Sequence, residues 1–252
     1  MKKIAFFVIA LCCCSFVFAQ KSDNKKTPAA NQENRPLYFG VSVGPTVDWF
    51  APTTKEEDFK LVREKPKAGF IAGINVDVNL IKDRWLYFST GLLVRHLQGE
   101  LAFDHQYDIP WLPDTLSVLS TVRTYKVNYL VIPTGIKFRT PPSRGCVFVG
   151  KVGLNHQFKL GGDKFDSFSF PALSNYLITT PKVKNDDAAL FAETGYAGIG
   201  FEYLFKSNIR VFMNADYSCQ FNYFSFKAVS NVNDARFRAI VHSLQVTFGV
   251  LF

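Results

Sequence analysis

The sequence lacks any long hydrophobic segment beyond its first 18 residues. The one sustained apolar run is Ile4–Phe18, which follows Lys2 and Lys3. This run is shorter than the roughly 20 residues that a membrane-spanning helix needs. Small and apolar residues before Gln20 fit a cleavage site. We therefore predict a cleaved signal peptide over residues 1–19, and we exclude a bundle of membrane-spanning helices.

Cysteine is also scarce. Three of the five cysteines fall at residues 12–14, where a lipoprotein signal is the alternative interpretation, and only Cys146 and Cys219 follow the leader. The strand assignment below places these two near opposite ends of non-adjacent strands, beyond the ~7 Å Cα separation that a disulfide tolerates. We predict no disulfide framework and interpret both cysteines as small apolar residues on an outward face.

Apolar and aromatic residues are abundant. Hydrophobic residues reach 48% and aromatic residues 15%, with 26 phenylalanines. Because no long run holds them, they must be spread over short alternating strands, as in a transmembrane β-barrel. The formal net charge is +8, but Lys and Arg are scattered along the chain. We expect a solvated surface or contact with anionic lipid headgroups, and no nucleic-acid partner.

The last nine residues alternate strictly between apolar and small or polar side chains. One face of the strand carries Leu244, Val246, Phe248, Val250 and Phe252. A chain that ends on such a strand, behind a signal peptide, is typical of an outer-membrane barrel. We predict that these five residues form the membrane-insertion strand, and that the outer-membrane assembly machinery recognises it.

Eight segments of the chain alternate in this way, at about 37–48, 67–80, 85–101, 121–139, 145–160, 188–204, 209–225 and 237–252. Short turns at 81–84, 140–144 and 206–208 alternate with long links at about 49–66, 102–120, 161–187 and 226–236. The pattern predicts an all-β, eight-stranded, antiparallel, up-and-down transmembrane β-barrel over residues 37–252. Its short turns would be periplasmic, its longer loops extracellular, and residues 20–36 a flexible periplasmic tail.

Two positions disturb the alternation, and we expect a bulge at the first of them. The outward apolar set changes parity at Pro133, from Val127, Tyr129 and Val131 to Ile136 and Phe138. Proline cannot donate to a strand ladder, which favours a bulge there. Glu193 points outward if its strand keeps its phase, so we expect either a bulge or a place at the extracellular rim.

The polar face of the segments decides which side meets lipid. Gly, Ser, Asn, Thr and Tyr dominate it, whereas a soluble barrel would be rich in Lys and Glu. The apolar face is almost free of charge, as expected where an unpaired Lys or Arg costs roughly 2–4 kcal/mol. We therefore predict that the apolar face meets lipid and that a lumen charge network is enclosed, formed by Asp77, Arg95, Lys137, Lys151, Glu202, Arg210 and Asp216.

Two stretches resemble a known family. The run YLVIPTGIKF, residues 129–138, resembles the Tyr-Leu-x-Ile-Pro-x-x-x-Lys-Tyr strand of the PorT-like outer-membrane β-barrel family of Bacteroidota, with Phe138 in place of the final Tyr. Residues 69–92 are similar to the same family's Gly-rich strand, tight turn and Thr-Gly-Leu strand. The resemblance covers 37–252 and implies the barrel scaffold. The name-giving member takes part in type IX secretion, whereas most of the family has no assigned function.

Three interpretations of function are open. Asp104, His105 and Asp108, in the predicted loop after the third strand, could bind a metal or act as acid and base in a rim-active protease or lipid hydrolase. The lumen charges could line a narrow solute path, although an eight-stranded barrel is only wide enough for side chains to fill. The aromatic residues of loop 161–187 could bind a partner or lipopolysaccharide.

We favour a non-enzymatic outer-membrane protein with a structural, assembly, secretion-related or binding role. The sequence contains no His-Glu-x-x-His motif and no paired cysteine ligands after the leader, so we predict no catalytic residue, no metal and no cofactor. The expected partners are outer-membrane lipid and lipopolysaccharide, the assembly machinery and an unidentified envelope protein.

Overall fold

The computed structural model describes residues 36–53, 60–63, 66–81, 85–106, 118–170, 176–205, 209–222, 224–227 and 236–252. The predicted signal peptide, the predicted tail up to residue 35 and Asp108 lie outside the described residues. Within these ranges, no helix has the length and apolar character needed to cross a membrane.

Twelve strands of the described chain form one antiparallel sheet. They are β1 (Leu37–Pro52), β2 (Lys60–Arg63), β3 (Lys67–Asn79), β4 (Leu86–Gln106), β5 (Val118–Arg139), β6 (Cys146–Phe170), β7 (Tyr176–Thr179), β8 (Val183–Lys184), β9 (Phe191–Leu204), β10 (Arg210–Gln220), β11 (Phe224–Lys227) and β12 (Arg236–Leu251). Eight of them pair in the order β1-β3-β4-β5-β6-β9-β10-β12, and β12 pairs back onto β1. The predicted eight-stranded up-and-down barrel is confirmed.

The cross-strand pairs give the shear of the barrel. Steps perpendicular to the strands lead from Phe39 in β1 around all eight strands and return to β1 at Trp49. A shear of about ten residues over eight strands corresponds to a strand tilt of about 40°. We call the end with the β3–β4, β5–β6 and β9–β10 connections the turn end, and the opposite end the loop end.

Aromatic rings gather at two levels on the outer face. The lower belt, at the turn end, contains Trp85 stacked on Phe138 and Tyr203 against Phe205. The upper belt contains three stacked pairs: Trp49 with His242, Phe70 with His96, and Phe191 with His156. Phe39 and Trp49 lie near the two levels in one strand, and at this tilt they are about 25 Å apart along the axis. This is the height of a barrel's apolar band, so the belts mark the two membrane boundaries.

The outer face between the belts is apolar. Of the five predicted membrane-insertion residues, Leu244, Phe248 and Phe252 are exposed, and Val246 and Val250 are half-buried. Both cysteines are free and also lie on the outer face, with Cys146 at the turn end of β6 and Cys219 toward the loop end of β10. The strand β9 separates the two.

We expect a charge in the middle of this band to be costly. Phe248→Arg should lower the free energy of unfolding by about 2–4 kcal/mol, because Phe248 lies between the belts and its side chain is exposed to lipid. Urea titration of the barrel in lipid vesicles measures the loss. Phe39→Arg, at the turn-end boundary, is the matched control and should cost about 0–1 kcal/mol. Equal losses for the two variants would contradict the placement of the bilayer.

Strand β6 is much longer than predicted, and β4 and β5 extend a few residues past their predicted ends. The three contain 25, 21 and 22 residues, so the predicted loop at 161–187 is wrong in large part. Of the predicted loop at 102–120, residues 102–106 and 118–120 are strand, and 107–117 lie outside the described residues. The short strands β2, β7 and β8 pair onto β4 and β6 in the same region. A strand above the bilayer needs no apolar outer face. Residues such as Gly161 to Lys164 therefore lack the apolar–polar alternation by which a strand is recognised in the sequence.

The predicted orientation of the first half of the fourth segment is also wrong, whereas Ile136 and Phe138 face outward as predicted. Val127, Tyr129 and Val131 are buried in the lumen, and the parity of β5 is unchanged through Pro133, which pairs with Asn155 without a shift in register. The bulge lies instead in β6, where Leu160 is the extra residue opposite Asn128 and Tyr129. These apolar side chains point inward because this part of the lumen is itself apolar.

Glu193 lies in a regular part of β9, so a bulge at this position is wrong. It pairs directly with His156, whose Nδ1 lies 3.3 Å from Glu193 Oε1. The backbone N–H of Glu193 donates to Asn222 Oδ1 at 2.8 Å. The carboxylate is therefore on the outer face beside the upper belt, where it has a partner and is partly exposed.

Candidate functional site in the barrel lumen

The lower charge layer fills the lumen at the turn end. It consists of Asp77, Lys137, Arg139, Glu202 and Arg210, which the inward phases of β3, β5, β9 and β10 bring together. Lys137 Nζ lies 2.7 Å from Asp77 Oδ2 and 2.8 Å from Glu202 Oε1. Arg139 Nη2 lies 2.7 Å from Asp77 and 2.9 Å from Glu202. Arg210 Nη1 completes the layer, 3.2 Å from Glu202 Oε2.

Three cations face two carboxylates in this layer, and two tyrosine rings stabilise the guanidinium groups through cation–π contacts. The Arg139 guanidinium lies 4.0 Å from the ring centre of Tyr87 and 5.2 Å from that of Tyr38. The Arg210 guanidinium lies 4.4 Å from the Tyr38 ring, and its Nη2 donates to Tyr38 Oη at 2.8 Å. Cation–π contacts of this kind are strongest in a desolvated site. The layer is thus a fully packed ionic plug.

Two more ion pairs lie higher in the lumen. Lys151 Nζ lies 2.8 Å from Asp216 Oδ2, which also accepts from Gln245 Nε2 at 2.9 Å. Arg95 Nη2 lies 2.5 Å from Asp48 Oδ1. All seven predicted lumen charges therefore face inward, but they form three separate groups.

Sequence reasoning missed Arg139 and Asp48, which complete these groups. Each has the parity of an inward neighbour two residues away, Lys137 and Thr46 respectively, and each stands at the edge of a predicted segment. Continuing the alternation of inward and outward side chains to the next inward position would have identified both.

An apolar layer lies at the level of the Arg95–Asp48 pair and continues from it toward the loop end. Its members are buried side chains from β1, β3, β4, β5 and β12 together with one residue that precedes β9: Phe50, Ile71, Leu93, Leu97, Leu101, Tyr125, Val127, Tyr129, Val131, Ala188, Ala239 and Val241. The ring of Phe50 lies over Gly99, where an added Cβ would come within 1.8 Å of Phe50 Cε2. Gly99 is therefore required for the ring to pack across the lumen.

The mouth clamp lies above the apolar layer and joins β5 to β6. Arg123 binds Asp166 through two hydrogen bonds, Nε to Oδ1 at 2.6 Å and Nη2 to Oδ2 at 2.8 Å. Asp187 accepts hydrogen bonds from Arg123 Nη1 at 3.4 Å, Tyr125 Oη at 3.0 Å and Lys164 Nζ at 2.8 Å. Bidentate and charge-assisted bonds of this kind are among the strong ones in proteins.

Electrostatics keep the clamp in its bonded form. Burial opposes the charge of Arg123, but the hydrogen bond and charge of Asp166 outweigh it, so the pKa of Arg123 is raised. Burial, and then the charge of Asp187, raise the pKa of Tyr125 well above its usual value. Both groups lie beyond the upper belt and keep their protons, so both donate to Asp187.

Residues 180–190, here called the lid segment, cross the loop end of the lumen. The N–H of Thr180 donates to Asp166 O at 2.8 Å, and that of Asn185 to Gly162 O at 2.9 Å. Asn185 Oδ1 accepts the N–H groups of Asp187 and Ala188 at 3.0 and 3.1 Å. Lys159 Nζ donates to the carbonyl oxygens of Asn185 and Ala188. The lid segment thus places Ala188 in the apolar layer.

The predicted rim site is not a loop. Asp104 and His105 lie within β4 and pair with Ser120 and Leu119 of β5, so their assignment to a loop is wrong. The other three histidines, at positions 96, 156 and 242, lie on the outer face in the upper belt. Across the described residues there is no group of three or more His, Cys, Asp or Glu that could hold a metal.

One motif was missed. Residues 40–44 have the Gly-x-Ser-x-Gly spacing of hydrolases, where the serine stands on a sharp turn between a strand and a helix. Here the motif lies inside β1, and Ser42 Oγ accepts a hydrogen bond from Asn75 Nδ2 at 2.7 Å. The geometry is that of a lumen serine in a continuous strand.

Comparison with known proteins gives one family. The model of the outer membrane protein beta-barrel domain matches residues 18–234, and no curated protein matches the chain. Similar solved structures include OprG from Pseudomonas aeruginosa, with 10% identity over 88% of this chain and 98% of that one and a TM-score of 0.44. Ail of Yersinia pestis has 12% identity over 86% and 100%, with a TM-score of 0.34. The chain belongs to the outer membrane protein beta-barrel domain family, whose place is the bacterial outer membrane.

Proposed function

We propose that this protein is a non-enzymatic outer-membrane barrel that binds an envelope or extracellular protein through its sheet extension. The sheet extension consists of the parts of β4, β5 and β6 beyond the upper belt. Residues 161–170 alone rise about 25 Å above the bulge at the tilt of the barrel. This continuous pairing above the bilayer is the observation that supports a binding role, because anchoring needs strands of only about 9–11 residues.

The outer surface of the sheet extension mixes charge and aromatic character. Lys126 of β5 and Asp163 of β6 are direct cross-strand neighbours, and Phe165 pairs with Thr124 two positions higher. Thr124 Oγ1 donates to Glu100 Oε1 of β4 at 3.3 Å, and Glu100 also pairs with Lys67 at 2.7 Å. A rigid surface of this composition suits a protein partner better than lipid. A secretion-related partner, implied by the resemblance to the PorT-like family of Bacteroidota, is one form of this role.

The lumen supports a closed barrel over a channel. The lower charge layer closes the interior at the turn end, and the lid segment crosses it at the loop end. Three of the four histidines, at positions 96, 156 and 242, lie on the outer face in the upper belt and not in the lumen, which supports the non-enzymatic interpretation over a rim-active hydrolase. Lipid and lipopolysaccharide would meet the apolar band and the two belts.

Site-specific photo-crosslinking in the native envelope tests the proposed binding role. A photoreactive residue at Phe165, in the sheet extension, should yield a discrete crosslinked protein band. The same residue at Ile74, which is exposed between the belts, is the matched control and should crosslink only lipid. The proposal is overturned if position 165 yields no protein adduct when position 74 reacts with lipid in the same cells.

A further inference from the structure

We propose that the apolar layer is a binding site for a neutral amphiphile with one hydrogen-bond-accepting head, and that the lid segment covers it. This proposal is independent of the partner bound by the sheet extension. Mouths of β-barrels are common ligand sites, and such sites are mostly apolar with a few placed polar groups. The apolar layer has this composition, whereas the layers beneath it are ionic.

Polar contacts, rather than large apolar side chains, hold the lid segment in place. Val183 and Leu190 are 52% and 78% exposed, so neither contributes to the interior. Only the small side chain of Ala188 enters the apolar layer. The segment is also held by the pairing of β8 with β6 and by the hydrogen bonds of Asp187, Asn185 and Lys159, all of which water can replace when the segment lifts. Lifting it would therefore break the short β8–β6 pairing and leave the eight paired strands of the barrel intact.

Two unpartnered donors lie within the apolar layer. Tyr129 and Arg95 are direct cross-strand neighbours, and they are 1% and 3% exposed. Tyr129 Oη and Arg95 Nε have no hydrogen-bond partner among the residues that the structure describes. Buried polar groups are nearly always bonded, so an unpartnered neighbouring pair points to a missing acceptor.

The charge of the site selects the head group. Arg95 is already neutralised by Asp48 at 2.5 Å, so an anionic head would add an uncompensated charge to a buried site. A ketone or ester carbonyl accepts from both donors and carries no charge. The expected ligand is therefore a neutral molecule with a small apolar chain or ring and a carbonyl head group.

The route to the site is from the loop end. Below the apolar layer the lumen is filled by the Lys151–Asp216 pair and then by the lower charge layer. A ligand that passes the lid segment thus reaches a closed floor. This arrangement describes a site that is reached from one side of the membrane, and it differs from the solute channel considered above.

Carbon-13 NMR of the barrel in nanodiscs tests the site, with carbonyl-labelled 2-undecanone as the probe. The wild type should show one saturable bound carbonyl signal, shifted downfield from the signal of ketone in empty nanodiscs. Val127→Trp fills the apolar layer and should abolish that signal, and Leu97→Phe serves if the tryptophan variant does not fold. Tyr129→Phe should keep the signal, move it upfield and weaken binding about tenfold, the effect of one lost hydrogen bond.

The matched control is Tyr196→Phe, a buried lumen tyrosine outside the apolar layer, which should bind like the wild type. Competition with undecane tests the head group, and it should displace the ketone only weakly. The proposal is overturned if the wild type shows no saturable signal, or if Val127→Trp binds as well as the wild type. Equal affinity for undecane and 2-undecanone would show that Tyr129 and Arg95 do not bind the head group.

Discussion

Replacing Glu202 with alanine is expected to lower the free energy of unfolding by about 3–5 kcal/mol, the cost of breaking a buried ion pair by removing one partner. Glu202 is fully buried and accepts from Lys137, Arg139 and Arg210. Without it, Lys137 and Arg139 keep only Asp77, and Arg210 loses its carboxylate partner. Urea unfolding in lipid vesicles, followed by the shift between the folded and unfolded bands on a gel, measures the change.

The control for this prediction is Glu193→Ala. Glu193 is a partly exposed carboxylate of the same strand, and its Oε1 lies 3.3 Å from His156 Nδ1. Its removal should cost less than about 1 kcal/mol, as for other exposed pairs. If the Glu202 and Glu193 variants unfold at the same urea concentration, the lower charge layer does not stabilise the barrel as its geometry indicates.

The second large effect concerns the lid segment. In a chain with Cys146 and Cys219 replaced by alanine, a cysteine introduced by Ala188→Cys should react slowly with a membrane-impermeant maleimide, because Ala188 is buried. Adding Asp187→Ala removes the acceptor shared by Arg123, Tyr125 and Lys164. Loss of about 1.4 kcal/mol of closing free energy raises the open population tenfold, so labelling should accelerate at least about tenfold.

Asp186→Ala provides the matched comparison for this measurement. Asp186 is exposed and adjacent in sequence, so its removal should leave the labelling rate within about twofold of the starting chain. Similar acceleration by both variants would show that general loosening, rather than the mouth clamp, controls access. An unchanged rate in the Asp187 variant would show that the clamp does not hold the segment.

The part of the fold inside the bilayer could be predicted from the sequence because lipid imposes a strict alternation. Between the belts, successive side chains face the hydrocarbon and the lumen in turn, so a segment such as 67–80 alternates clearly between apolar and polar residues. The seven lumen charges follow from the same parity. Their partners Asp48 and Arg139 were missed because the alternation was not continued to the next inward position of each strand.

The parts beyond the bilayer could not be predicted in the same way. Above the upper belt both faces of a strand meet protein or water, so β6 continues through Gly161 and Asp163 without a period-two signal. Val127, Tyr129 and Val131 were misleading for the opposite reason. They are apolar and lie in phase with one another, and sequence alone cannot tell an apolar lumen from lipid. The lid segment depends on contacts between Asp187 and residues far away in the chain, which no local pattern indicates.

The contact between Tyr38 and Arg210 has a consequence for the order of assembly. The two residues are 172 positions apart in the chain, and β1, which carries Tyr38, meets its last neighbour only when β12 closes the sheet. Contacts between such distant residues form late, because the intervening chain must be organised first. The cations of the lower charge layer would stay hydrated until that moment. Closure of the barrel and dehydration of its interior are therefore one event. An intermediate in which β1 and β12 are still unpaired gains little stabilisation from either.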